Sequence, residues 1–335
     1  MTRQTAGRIR RIAALSSIAL LSYYGAAFPD DATSLPTPRE IDVPEKLPLL
    51  VVAPHPDDES LGAAGLMQRV RKLHGRVTVA YLTSGDGYLD GVELETNNLK
   101  PRPEDFVGYG EMRLKEALRA LHAMPVRAKR LLIFGFPDGG LLDLLTTHWS
   151  AKNPFVSPYT RDDRSPYPDS VDARATYSGV SLERALARSI TQVNPRWIAV
   201  TGFWDIHPDH CAAFHFVVRA LRRLAASNRE FASVTVLAYT VHRPDWPGAN
   251  DGTALSAPPG VNPPGAAWKA LQLTGEELDG KGRALDEYAS QMDIMAVLFR
   301  AFVRSNEVFA VYPELPAGPP DACGRPLPEP AEAKR

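Results

Sequence analysis

The chain has 335 residues, with 38 Lys and Arg against 39 Asp and Glu, a net charge of −1 at pH 7, and two cysteines. This near-neutral balance gives no broad basic surface for neutralising phosphates, so nucleic-acid binding is not expected. Two cysteines exclude a disulfide framework and a zinc site made of cysteines alone. The hydrophobic fraction of 44% is that of a globular protein, whereas 30 prolines are more than such a chain usually contains.

The N-terminal residues 1–27 have the order of a targeting segment. Four arginines precede an apolar stretch, residues 12–24, and Gly-Ala-Ala follows at 25–27. Small residues at this place suit a signal peptidase. The alternative is an uncleaved membrane anchor, although the stretch is shorter than the roughly 20 residues of a full span. Both interpretations predict export to the periplasm or the cell exterior, with N-terminal membrane association in the second.

Proline-rich segments flank the predicted folded body. Residues 28–46 and 313–335 contain many prolines and no apolar period. Because proline fixes φ and lacks a backbone donor, neither segment can extend a helix or a central strand. We therefore predict a linker at 28–46, one folded domain at 47–312 and a disordered tail at 313–335.

Within the body, short apolar runs alternate with amphipathic helices. This order predicts an α/β fold with a mostly parallel sheet, helices on both faces and further helices at the C-terminal end. Ligands of such sheets bind beyond the carboxyl ends of the strands. The predicted elements are strand 47–53, helix 59–73, strand 76–83, helix 109–123, strand 130–134, helix 181–193, strand 196–201, helix 211–224, strand 234–241, and helices 274–291 and 292–304.

The first polar loop, residues 54–60 (PHPDDES), directly follows the first predicted strand. It places the imidazole of His55 beside the carboxylates of Asp57, Asp58 and Glu59. Such a group resists burial without a cation, and hard or borderline divalent metals take nitrogen and oxygen ligands of this kind. The alternative is that these residues only cap the following helix, for which Asp and Ser are suited.

The second polar loop, residues 205–210 (DIHPDH), follows the fourth predicted strand and precedes the next helix. It contains His207 and His210 together with Asp205 and Asp209. A second His/Asp loop at the same topological place favours a metal or proton-transfer site over two independent helix caps.

These motifs resemble those of a known family. Residues 54–59 (PHPDDE) resemble the A-H-P-D-D-E motif of the LmbE/PIG-L-like zinc-dependent N-acetylglucosamine deacetylases, and residues 207–210 match its H-P-D-H motif. Arg113 and Glu116 resemble its R-x-x-E helix, and residues 136–139 (FPDG) resemble its P-D-G turn. The resemblance extends from the first to the fifth predicted strand. It implies a Rossmann-like three-layer sandwich with one active-site zinc ion per chain.

The resemblance also implies a role for each motif position. His55, Asp58 and His210 would be the zinc ligands, which leaves coordination positions open for water and substrate. Asp57 would be the general base that takes a proton from the zinc-bound water. His207, when protonated, would stabilise the oxyanion of the tetrahedral intermediate.

Further residues are assigned around this predicted centre. Asp209 would orient one of the histidines. Asp86, at the start of the loop after the second strand, is a candidate sugar contact, and Arg113 and His242 are further candidate substrate contacts. The implied reaction is hydrolysis of the amide of an N-acetylglucosamine-type sugar or glycoconjugate by zinc-bound hydroxide, with acetate as co-product.

Two alternative functions remain open at this point. The first is a zinc amidase of the same fold that acts on a non-sugar amide. The second is a carbohydrate-binding protein without turnover, against which Asp57 argues because a structural metal site needs no spare carboxylate. Cys211 and Cys323 are expected to remain free thiols. The sequence fixes neither the acetylated substrate nor the oligomeric state.

Overall fold

The computed structural model describes residues 38–124, 131–248, 252, 254–317 and 321–326. The predicted leader lies outside these residues, as do the first part of the predicted linker and the last nine residues of the predicted tail. Within the described chain, no helix combines the length and the apolarity that a membrane span requires.

An eight-stranded sheet lies between two layers of helices, and a two-stranded hairpin follows it near the C-terminus. The strands are β1 (Arg39–Glu40), β2 (Pro48–Ala53), β3 (Arg76–Thr83), β4 (Leu131–Phe136), β5 (Trp197–Thr201), β6 (Thr235–Tyr239), β7 (Ala267–Gln272), β8 (Asn306–Tyr312), β9 (Asp321–Ala322) and β10 (Arg325–Pro326). The α-helices are α1 (Asp58–Lys72), α2 (Leu89–Thr96), α3 (Pro103–Ala123), α4 (Leu141–Thr146), α5 (Gly179–Val193), α6 (Pro208–Ala225), α7 (Gly275–Asp286) and α8 (Ala289–Ala301).

The strand order in the sheet is β1-β7-β8-β6-β5-β2-β3-β4. Strand β8 pairs antiparallel with β6 and β7, and the other described pairs of this sheet are parallel. Alternate residues of β2 enter separate cores, Leu49 and Val51 on the face of α1, α3, α7 and α8, and Leu50 and Val52 on the face of α4, α5 and α6. The predicted α/β class, a Rossmann-like three-layer sandwich with a mostly parallel sheet and C-terminal helices, is confirmed.

Several element boundaries differ from the predicted ones. Helix α3 begins at Pro103, because proline suits the first helical position and the backbone N–H of Arg102 donates to Asp105 Oδ2 at 2.7 Å. The two predicted helices 274–291 and 292–304 are α7 and α8, but the boundary between them lies earlier, because α7 ends at Asp286 and α8 begins at Ala289. Strand β8 was not predicted, although every residue in it is buried. Strand β1 lies inside the predicted linker and pairs with β7.

The helix that follows the first polar loop is braced from the C-terminal part of the chain. Helix α1 is kinked at Ala63, where the backbone leaves helical φ/ψ values. Beyond the kink, the N–H groups of Gly65 and Leu66 donate to the two carboxylate oxygens of Glu307 at 2.8 and 2.9 Å. Lys281 Nζ donates to Glu307 Oε1 at 2.9 Å, and the two side chains are 0% and 1% exposed. A buried ion pair therefore fixes the shape of α1.

The two cysteines form a disulfide bond between Cys211 on α6 and Cys323 in the hairpin, with Cα atoms 6.0 Å apart. The expectation that both remain free is therefore wrong. The physical reason is tertiary: the hairpin strand β9 contacts α4 and α6, which brings together two residues separated by 112 positions in sequence. This part of the predicted tail, residues 321–326, has regular structure.

Candidate active site

The polar loops meet at the carboxyl ends of the central parallel strands. Strand β2 lies between β5 and β3. The chain adds β3 and β4 on one side of β2 and then β5 and β6 on the other side, so the strand order reverses between β2 and β5. Open α/β sheets bind their ligands at such a switch point. His55 follows β2, and His210 lies in the first turn of α6 after β5. The parallel register of β2 and β5 thus brings together two loops about 150 residues apart in sequence.

Three buried side chains converge on one point. His55 Nδ1 lies 3.1 Å from His210 Nε2, and both nitrogens lie 3.2 Å from Asp58 Oδ2. Ligand atoms ~2.0–2.1 Å from a tetrahedral zinc ion stand roughly 3.3 Å apart. The three atoms therefore have the spacing of one face of a coordination tetrahedron. Two nitrogens and one carboxylate oxygen are also a donor set that zinc accepts, so the residues fit a divalent metal ion.

Carboxylates contact the nitrogen of each imidazole ring that points away from the metal position, and so fix the orientation of both rings. His55 Nε2 lies 3.0 Å from Asp138 Oδ1 and 3.4 Å from Asp209 Oδ2. His210 Nδ1 lies 3.3 Å from Asp205 Oδ2. Burial lowers the pKa of His210, but Asp58 and Asp205 outweigh it and raise the pKa to about 9. Each ring thus presents its other nitrogen to the metal position, as ligating histidines with carboxylate partners do.

No role was assigned from the sequence to two of these orienting carboxylates. Asp138 stands in the quoted P-D-G turn, and Asp205 begins the second polar loop, but neither was given a role. Asp209 was predicted to orient a histidine, and its side chain lies near His55 while also accepting from the N–H groups of Gly139 and Leu141 at 2.7 and 2.9 Å. A carboxylate two to five residues from a candidate histidine ligand was the signal that could have indicated Asp205.

Asp57 occupies the N-cap position of α1, but its side chain makes no capping hydrogen bond. The capping interpretation is therefore wrong for this residue. Its backbone has φ 135°, which L-residues rarely adopt. Burial raises the pKa of Asp57 to about 7 in the metal-free protein, against the opposing effect of the Arg113 guanidinium. The carboxylate is thus buried beside the ligand set, where the Arg113 guanidinium holds it.

The guanidinium of Arg113 donates its hydrogen bonds to the Asp57 carboxylate and to backbone carbonyls of two loops. Arg113 Nη2 donates to Asp57 Oδ2 and to the carbonyl of Pro56, both at 2.8 Å, and Nη1 donates to the carbonyl of Gly85 at 3.0 Å. A Cβ atom at Gly85 would lie 1.9 Å from Nη1, so only glycine allows this approach. The buried guanidinium of Arg113 thus holds the Asp57 carboxylate, and its predicted contact with substrate stays a prediction.

His207 and His242 complete a cluster of four imidazole rings. The His207 ring lies 4.8 Å from the rings of His55 and His210, and the His242 ring lies 4.8 Å from that of His210. His207 Nδ1 accepts a hydrogen bond from the N–H of Asp209 at 3.2 Å, so it is unprotonated. Burial, together with the neighbouring imidazoles, lowers the pKa of His207 well below its usual value. The contact at Nδ1 leaves Nε2 as the ring atom that can donate a hydrogen bond, and the predicted protonated form of His207 stays a prediction.

Asp86 directly follows Gly85, whose carbonyl Arg113 contacts, and it is buried. Its Oδ2 accepts a hydrogen bond from the hydroxyl of Tyr167 at 2.6 Å. Burial and the charge of Asp138 raise the pKa of Asp86 to about 7. The contact with Tyr167 links the long insertion after β4 to the loop after β3. Direct contact of Asp86 or His242 with substrate stays a prediction.

The family is shown by sequence comparison. The model of the family described as PIG-L, GlcNAc-PI de-N-acetylase, matches residues 50–221, which include both polar loops. The chain belongs to the GlcNAc-PI de-N-acetylase (PIG-L) family. The 1D-myo-inositol 2-acetamido-2-deoxy-alpha-D-glucopyranoside deacetylase of Nakamurella multipartita is 35% identical to this chain over an alignment 225 residues long, which covers 65% of this chain and 67% of that protein.

Solved structures show the same fold as this chain. The zinc-inhibited form of the teicoplanin deacetylase Orf2 has a TM-score of 0.50 and 16% identity, covering 78% of this PIG-L chain and 97% of that one. A deacetylase–bog complex from the biosynthesis pathway of teicoplanin also has a TM-score of 0.50, with 18% identity and the same coverage. At these identities the similarity shows the shared fold alone.

Proposed function

We propose that this PIG-L family protein removes the N-acetyl group from an N-acetylglucosamine-type sugar or glycoconjugate by metal-assisted amide hydrolysis. The observation on which the proposal depends is the convergence of His55 Nδ1, Asp58 Oδ2 and His210 Nε2, with the carboxylate of Asp57 beside them. The printed activity of the Nakamurella relative, a deacetylase of an acetamido sugar, supports the choice of substrate class.

The residues present fit a zinc ion, and we propose zinc as the cofactor. His55, Asp58 and His210 would hold it, while Asp138, Asp209 and Asp205 keep the two imidazole rings in place. When bound, the ion would polarise the amide carbonyl and lower the pKa of a coordinated water molecule. The three protein ligands leave coordination positions for water and substrate, which is the arrangement of a catalytic rather than a structural zinc site.

Asp57 is proposed as the general base and acid. Its carboxylate would accept a proton from the attacking water and later give that proton to the amine nitrogen as the C–N bond breaks. The products are acetate and the free amine, so no further reactant is needed. Arg113 holds Asp57 Oδ2 at 2.8 Å, which fixes the rotamer of the base.

His207 is proposed to stabilise the negative charge that develops on the carbonyl oxygen. Because its Nδ1 accepts from the backbone of Asp209, the neutral ring has its N–H at Nε2, available for donation. A preorganised donor of this kind strengthens its hydrogen bond as the oxyanion forms, without having to lose a proton itself.

We further propose that the protein is exported. The order of charges, apolar residues and small residues in 1–27 supports this proposal. The Cys211–Cys323 disulfide supports it independently, because disulfides persist in oxidising compartments and are rare in the cytosol.

The test is acetate release by the zinc-loaded protein. The substrate panel contains N-acetylglucosamine, glycoconjugates that bear it, and N-acetylated amides without a sugar. Release from the sugar substrates that stops on chelation and returns with added zinc supports the proposal. Release from the non-sugar amides alone would identify an amidase, and saturable sugar binding without release would identify a carbohydrate-binding protein. Activity unaffected by the removal of all metal would refute the assigned ligand set.

A further inference from the structure

The proposed base has a backbone conformation that requires support. Asp57 is not glycine, yet its φ of 135° lies where a Cβ atom clashes with the chain. Such a conformation persists only when neighbouring groups over-determine it. The side chain is held by Arg113, and the carbonyl accepts the N–H groups of Ser60 and Leu61 in the first turn of α1. The remaining polar group of the residue is its own N–H.

That N–H is held by a buried carboxylate. The N–H of Asp57 donates to Glu59 Oε2 at 3.2 Å. The other oxygen, Glu59 Oε1, accepts from the hydroxyl of Ser60 and from the hydroxyl of Tyr288, each at 2.5 Å. Glu59 is fully buried. The direction in which Glu59 presents Oε2 to Asp57 therefore depends on what fixes Oε1.

Ser60 cannot fix Glu59 by itself, because both side chains belong to the same turn of α1 and move together with it. Tyr288 comes from another part of the chain. It lies between α7 and α8, is fully buried, and packs against Phe299 at 6.2 Å between ring centroids. Its hydroxyl therefore holds the Glu59 carboxylate from a part of the chain outside α1.

The segment that contains Tyr288 is itself fixed to the catalytic half of the protein. Glu116 of α3 accepts from the N–H and the hydroxyl of Ser290 at 2.9 and 2.6 Å, which holds the start of α8. Lys281 of α7 donates to the carbonyl of Leu61 at 2.7 Å. These contacts hold the segment that contains Tyr288 beside Glu59. Tyr288 itself lies outside the family-matched residues 50–221.

We propose that Tyr288 is a positioning residue for the deacetylation proposed above. Its hydroxyl fixes Glu59, and Glu59 fixes the strained peptide of Asp57, so that the carboxylate of the base is aimed at the metal position. The expected change in kcat rests on the proposed function, whereas the expected change in the order of the Asp57 peptide does not. The proposal gives α7 and α8, the helices on either side of Tyr288, a role in positioning the general base.

The experiment compares Tyr288→Phe with Tyr312→Phe in the full, zinc-loaded chain. Both substitutions remove one buried hydroxyl from the C-terminal part of the protein, but the Tyr312 hydroxyl makes no hydrogen bond within the described chain. For Tyr288→Phe we expect kcat to fall by roughly 10-fold, the effect of one lost hydrogen bond to a charged group. We expect unchanged KM, one bound zinc, and faster hydrogen–deuterium exchange in the peptide covering 55–61. Tyr312→Phe should match the wild type in all four measurements.

A double substitution tests the route through Glu59. In a Glu59→Ala background, adding Tyr288→Phe should lower kcat no further, because the side chain that connects the Tyr288 hydroxyl to the N–H of Asp57 is already absent. Additive losses would overturn the proposal, as would wild-type kcat and exchange in Tyr288→Phe, or a loss of bound zinc parallel to the loss of kcat. If the wild-type protein releases no acetate from any substrate, the proposed function fails, and the exchange comparison still decides whether Tyr288 orders the Asp57 peptide.

Discussion

Lys281→Met isolates the contribution of the buried ion pair that braces α1. Methionine retains most of the apolar stem of lysine but removes the ammonium group, leaving the Glu307 carboxylate buried without its cation. Removing one partner of a buried pair costs roughly 3–5 kcal/mol. The Glu307 oxygens keep the N–H donors of Gly65 and Leu66, so we expect a value near the lower limit, about 3 kcal/mol. For a domain of this size such a loss lowers the melting temperature by roughly 6–12 °C.

The assay is urea denaturation at pH 7 followed by circular dichroism, with thermal melting as a second measurement. The matched control is Lys72→Met, which breaks an exposed pair with Glu276 whose side chains are 57% and 79% exposed. Such a pair contributes at most about 1 kcal/mol. If Lys281→Met costs no more than Lys72→Met, the brace does not stabilise α1 and the reasoning is refuted.

Three further predictions concern the site and the disulfide. Asp57→Asn should retain one bound zinc while turnover falls by roughly 10²–10⁴-fold, the range for loss of a general base; turnover within a few-fold of the wild type would exclude Asp57 from that role. Asp205→Asn should weaken zinc binding by roughly 10–100-fold in a competition assay with a chelator, because His210 loses the carboxylate that orients it; unchanged affinity would contradict that contact. Cys323→Ser should lower stability by roughly 2–4 kcal/mol and abolish the effect of reductant on the melting temperature; a stability equal to that of the oxidised wild type would show that the bridge does not stabilise the fold.

The sequence predicted the parts of the site that depend on sheet topology. Two polar loops that each follow a buried strand must meet if those strands are parallel neighbours, and this is what brings His55 and Asp58 to His210. The chemistry of the loops then indicated a metal or proton-transfer site, and the family resemblance supplied the choice of zinc. No detail of side-chain packing was needed for that inference.

The parts that the sequence did not predict depend on side-chain direction and on long-range packing. Arg113 has the residue type of an anion-binding group, and only its buried approach past Gly85 shows that Asp57 is its partner. The contact between Tyr288 and Glu59 joins residues 229 positions apart and has no local signature. Strand β8 was missed because it lies outside the βα alternation of the first part of the chain, not because it is short: its seven residues exceed the five of β5 and of β6.

The position of β8 has a consequence for the order in which the protein assembles. In the described sheet, β7 and β1 reach the parallel strands only through β8, which is the last strand of the sheet in the chain. A chain that emerges from its N-terminus can therefore form β2 to β6 early, but it cannot seat β7 or β1 until residue 312 is available. Tyr288, Lys281 and Glu307 become available in the same late interval. A nascent or truncated chain thus has both polar loops before it has the contacts that Tyr288, Lys281 and Glu307 add to the first loop and to α1, so full competence for the proposed catalysis would coincide with completion of the sheet.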